Sequence, residues 1–71
     1  MSYTGKIIHI ICGCNTGAEY MVISEPKNVN RRGDTGVKVK CIKTSNLKGG
    51  HSLGEECTMS FEEIYDYGIF K

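Results

Sequence analysis

Apolar and polar residues alternate along much of this chain with a period of two, the spacing of half-buried β-strands. Between Lys6 and Cys14 the alternation puts Ile8, Ile10, Cys12 and Cys14 on one face, and Ile7, His9 and Ile11 on the other. Asn15-Thr16-Gly17 then reads as a turn, with Gly17 free to adopt positive φ, and Ala18 to Ser24 as a returning strand. Residues 6–24 are therefore expected to form a hairpin, stopped by Pro26. A third strand places Val37, Val39 and Cys41 inward and Lys38 and Lys40 outward. From Glu55 the alternation resumes, with Cys57, Met59 and Phe61 on one face against Glu56, Thr58 and Ser60.

The segments between are polar. Residues 27–36, rich in Asn, Gly and Asp, and Ser45 to Ser52 read as loops. Phe61-Glu-Glu-Ile-Tyr-Asp-Tyr carries a helix-start signal, with Ser60 as N-cap and Glu63 three residues later. Gly68 ends that turn, and Ile69-Phe70 supplies a last short strand. Eight isoleucines, four valines and five threonines reinforce the β reading. The expected fold is all-β with one short helical turn: a small closed or half-open barrel of four to five antiparallel strands, forming one domain over residues 1–71. Its expected core is Ile8, Ile10, Val22, Val37, Val39, Cys41, Met59 and Phe61.

In its order of elements the chain resembles small SH3-like barrels, including those of short phage-encoded and bacterial accessory proteins. The resemblance is carried by Gly17-Ala-Glu-Tyr-Met-Val-Ile, by Val37-Lys-Val-Lys-Cys-Ile, and by Phe61-Glu-Glu-Ile-Tyr before Ile69-Phe70. It implies a non-enzymatic module that docks on a larger protein, a host enzyme in the viral case, and modulates or inhibits it. No tryptophan is present to build the aromatic groove of signalling SH3 domains, so recognition of proline-rich peptides is not implied.

Size and charge narrow the function. Seventy-one residues leave little room for a deep substrate cleft. A net charge of +1 excludes both a strongly cationic coat and an acidic nucleic-acid mimic. The apolar run Ile7 to Cys12 is interrupted by His9 and is shorter than the roughly 7–15 residues of an export signal's core. It is far below the ~20 residues of a membrane span, so a cytoplasmic protein without membrane contact is expected.

Cys12, Cys14, Cys41 and Cys57, with His9 and His51, are numerous enough for a zinc site, but Cys12 and Cys14 are the only close pair and no Cys-x-x-Cys occurs. Cys41 and Cys57 complete apolar alternations, where free cysteine behaves as a small hydrophobe. Free thiols without metal or cofactor are the expected state. Zinc on the four cysteines and a disulfide framework are the alternatives. Cys14, beside a turn, is the best candidate for a thiol nucleophile with a histidine, yet the chain is too short to hold dyad, oxyanion hole and pocket together.

Lys48-Gly-Gly-His-Ser-Leu-Gly54 matches neither phosphate-loop pattern. The adjacent acids Glu55-Glu56 and Glu62-Glu63 do not form an acid–base pair on a strand, because neighbours point to opposite faces. Arg32-Gly33-Asp34 is an integrin-type triplet without an extracellular context, and Gly-Asp is ordinary turn chemistry. The distribution of charge says more. Seven basic residues against one acid lie between Lys27 and Lys48, and five acids with no base between Glu55 and Asp66. The basic strand can pair with the acidic one, or Arg31, Arg32, Lys38, Lys40 and Lys43 can form a binding face for a partner or for phosphate. A protein-docking module is the favoured function. A nucleic-acid-binding accessory protein using segment 27–48 is the alternative, and the aromatics Tyr65, Tyr67 and Phe70, which lie in or beyond the acidic segment, argue against it.

Overall fold

The computed structural model describes residues 2–45 and 51–71. Its elements are β1 (Ile7–Ile10), β2 (Glu19–Val22), β3 (Lys27–Asn28), β4 (Thr35–Lys43), β5 (Glu56–Ser60), α1 (Phe61–Tyr67) and β6 (Gly68–Phe70). All strand pairs are antiparallel. β4 is the spine: β2 pairs one edge, β3 continues along that edge beyond Pro26, and β5 pairs the other. The last strand β6 does not pair β5 but crosses to β1, carried there by α1. The result is a curled half-barrel, the half-open barrel that the alternation predicts.

Two irregularities curl the sheet. Gly54, at φ +85°, donates its N–H to Cys41 O at 2.8 Å while Cys41 N–H bonds Glu55 O at 2.9 Å, a bulge with glycine in the left-handed position. At Ile42 the register between β2 and β4 shifts, so Glu19 faces Lys43 and Tyr20 faces Cys41. α1 is longer than one turn and is capped as the sequence suggests, with the Ser60 hydroxyl accepting from Glu63 N–H at 3.2 Å.

The core lies inside the curl. Ile8, Ile10, Ala18, Tyr20, Val22, Val37, Val39, Cys41 and Ile64 are buried, most of them the inward members of the strand alternations. Two expected core residues move to its rim. Met59 and Phe61 are half-buried, because Phe61 opens α1 instead of extending β5, and its ring packs on Tyr3 at 5.3 Å and Tyr65 at 6.2 Å. Cys12 and Cys14 are also displaced from the expected inward face. β1 ends at Ile10, Gly13 turns the chain at φ +88°, and both thiols are exposed. Segment 27–36 is more ordered than a loop, with β3 at its base and Asn30 Oδ1 accepting from Arg32 and Asp34 N–H at its tip.

Glu25 anchors the N-terminal segment. Its carboxylate accepts hydrogen bonds from Ser2 Oγ, Tyr3 N–H, and both the N–H and hydroxyl of Thr4. These donors, the Thr4 hydroxyl first, hold its pKa down at about 2 from an ordinary 4.5. A depressed carboxylate contributes stability above its unfolded pKa and loses it as the pH falls toward the folded value. Acidification from pH 5 to 2 is therefore expected to release residues 2–4 from Glu25. Amide exchange at Thr4 measures this, and a Glu25→Gln variant should show the faster exchange already at neutral pH. Thr4 protection that is flat over this range would rule out the anchor.

Candidate functional site: the open side of the barrel

Where the half-barrel fails to close, a groove of about 520 Å³ separates β5 from the β1–β2 connection. Ile10, Cys12, Cys14 and Asn15 form one wall, Cys57, Thr58 and Met59 the other, and Glu63, Tyr67 and His51 stand at the ends. The volume falls within the range of ordinary ligand pockets.

The walls are fixed by backbone. Ile11 and Cys12 N–H both donate to Tyr67 O, at 2.8 and 3.2 Å, and the Cys12 thiol donates to Asp66 O at 3.3 Å. Segment 11–14 thus supplies donors to carbonyls that the end of α1 leaves without intrahelical partners. Gly13 is favoured by its positive φ, and a Cβ there would lie 3.1 Å from the Tyr67 ring, which would have to shift by a few tenths of an ångström. The turn closes with Gly17 N–H to Ile10 O at 2.9 Å.

His51 connects the groove to the core. Its ring meets Tyr20 edge-on at 5.7 Å, and its Nδ1 lies 2.9 Å from the Tyr20 hydroxyl. Burial pushes the Tyr20 pKa up to about 12, so the phenol keeps its proton and donates it to Nδ1. The other ring nitrogen, Nε2, faces Glu55 Oε2 at 3.5 Å. Sequence reading missed Tyr20 as the link; its signal was an inward position beside Val22 in a strand of alternating burial.

Burial, then the nearby Glu55, raises the Cys57 pKa, which keeps it as a thiol. Among the described residues no hydrogen bond joins Cys12 or Cys14 to a histidine, and no group of three or more His, Cys, Asp or Glu side chains is placed to hold a metal. All four cysteines are free.

The basic residues do not converge on this groove or on one another. Arg31 and Arg32 sit at the exposed tip of the β3–β4 loop, with Arg32 paired to Asp34 at 3.3 Å. Lys38 and Lys40 share the outer face of β4, where Lys38 Nζ pairs with Glu56 at 3.2 Å. Lys43 lies at the other end of this nine-residue strand. From Thr35 to Lys43 the strand runs up to roughly 27 Å, at about 3.4 Å per residue. Lys48 falls outside the described residues. A second polar cluster lies on the far face, where the Glu19 carboxylate accepts from Lys71 Nζ at 2.8 Å and His9 Nδ1 at 3.0 Å. The lysine, the leading cause, holds Glu19 below the usual carboxylate range, and the trio ties the end of the chain to β2.

Among the described residues, no helix is long and apolar enough to cross a membrane. No family model, curated protein or solved structure matches this chain.

Proposed function

We propose that this chain is a non-catalytic docking module, a small barrel of the SH3-like type that binds a larger protein through its open side and modulates it. The observation that carries this reading is the groove beside β5, a strand that among the described residues is paired along one edge only. An edge strand is a template for another chain unless it is blunted or covered. Exposed Ile11, Tyr67 and Ile69 add apolar surface near the same end of the sheet. The Cys57 thiol, held protonated, and the lack of a hydrogen bond from Cys12 or Cys14 to a histidine among the described residues favour binding over covalent chemistry. Exposed, free Cys12 and Cys14 suit a reducing, cytosolic compartment.

The competing reading is nucleic-acid binding through Arg31, Arg32, Lys38, Lys40 and Lys43. Its strongest support is that Arg31, Lys40 and Lys43 are exposed and make no ion pair with another described residue. Against it, Lys38 and Arg32 already face carboxylates, and the five side chains spread along the whole of β4 and its loop. A salt titration of DNA and RNA binding decides between the two. The docking reading expects affinity no better than about 10⁻⁴ M at physiological salt, unchanged by Arg31→Glu with Arg32→Glu. Sub-micromolar binding that the pair abolishes, with a log–log slope lowered by about 0.9 per lost duplex contact, would overturn it.

A further inference from the structure

We propose that the free edge of β5 is a strand-addition site for an extended segment of a partner protein in which apolar residues alternate with lysine or arginine. This rests on the docking reading and names what docks.

The hydrogen-bond phase of β5 fixes which groups are available. Antiparallel partners alternate between pairs that exchange both backbone bonds and pairs that exchange none. The bulge bonds at Cys41 make Val39 with Cys57, and Val37 with Met59, the bonded pairs. Glu56 and Thr58, opposite Lys40 and Lys38, therefore turn their N–H and C=O groups away from β4. Those groups face the groove that Thr58 lines. A strand entering there finds a backbone ladder on one side.

β4 itself reveals the side-chain pattern that β5 accepts. On the paired edge, Val37 and Val39 lie inward beside Met59 and Cys57, while Lys38 lies outward with its amine 3.2 Å from Glu56. The free edge presents the same β5 side chains with the same in–out alternation, so a strand of the same pattern is its complement. Charge points the same way: the five acids between Glu55 and Asp66 have no base among them, and Glu63 stands at the end of the groove. That field disfavours a second copy of β5 as occupant, since it would bring the acid-rich segment Glu55 to Asp66 against its own copy. The chain's own Val37-Lys-Val-Lys strand has both edges engaged and is not available.

The probe is a capped hexapeptide, Val-Lys-Val-Lys-Val-Lys, titrated into the labelled full chain while backbone amide shifts and hydrogen exchange are followed. Saturable shifts centred on Thr58 are expected, with exchange of the Thr58 N–H slowed at least about tenfold. A Val-Glu-Val-Glu-Val-Glu peptide should bind at least about tenfold more weakly. Thr58→Pro removes an N–H that β4 does not use, so it should abolish peptide binding while leaving the β4–β5 amides protected. Should that variant unfold, Glu56→Lys serves instead, and it should shift preference toward the glutamate peptide. Shifts that spare Thr58, no shifts up to about 1 mM peptide, or sedimentation as a dimer of this chain would each overturn the site. These outcomes leave the docking reading itself to stand or fall on the salt titration, which involves neither β5 nor the peptide.

Discussion

Replacing Gly36 with alanine is expected to cost at least about 3 kcal/mol, against about 1–2 kcal/mol for alanine at Gly33. Reasoning from backbone conformation alone gives the opposite order. Gly33 has φ +85°, whereas Gly36 is not among the positive-φ glycines. The space around them decides. Nothing lies within 4 Å of a Cβ at Gly33, but one at Gly36 would sit 2.1 Å from Met59 O and 2.6 Å from Ser60 Cα. Both are backbone atoms, so no side chain can swing aside. Gly36 pairs with Lys27 on one edge and Ser60 on the other, at the point where β5 gives way to α1. A methyl group there must push β5 from β4 and disturb the Ser60 cap. Thermal unfolding measures the effect; the expected fall in Tm is about 12–24 °C for a domain of this size. A Gly36→Ala protein melting within about 2 °C of the parent, or above Gly33→Ala, would show that β5 is placed wrongly. The groove would be misplaced with it, since β5 forms one of its walls.

The fold was legible because most of its determinants are local. Val37, Val39 and Cys41 alternate with lysines, and all three are buried. Ser60 and Glu63 have the spacing of a helix cap and form one. What escaped were consequences of the third dimension. Ile64 is fully buried, yet a seven-residue helix with one inward position has no periodicity to detect. Cys12 and Cys14 continue an alternation that a tight turn at Gly13 cuts off. Phe61 reads equally as the end of a strand or the start of a helix, and the cap at Ser60 settles it as the latter. The groove was illegible for a topological reason. It exists because β6 pairs β1 and leaves β5 with one neighbour among the described residues, and no residue pattern within β5 announces which strand will be missing.

Tyr20 is where core and groove meet, and it carries the second large effect. Its side chain is 0% exposed and is the largest of the fully buried ones, so Tyr20→Ala should cost about 3–5 kcal/mol. A domain of this length commands roughly 4–10 kcal/mol in all, so that variant should lose a third or more of its stability. Tyr20→Phe separates packing from hydrogen bonding. It keeps the ring and removes only the donor to His51 Nδ1, a loss of about 0.5–1.5 kcal/mol. The phenol also gives the stability curve an alkaline limb. A tyrosine whose pKa rises on folding from 10.0 to about 12 stabilises fully below pH 10 and loses that contribution as the pH climbs toward 12. Denaturant melts at pH 8 and pH 11 should therefore show a fall in parent stability that is smaller in Tyr20→Phe. Exposed Tyr65 and Tyr67 remain in both proteins and cancel from the comparison. Equal alkaline losses in the two would mean that Tyr20 reaches solvent.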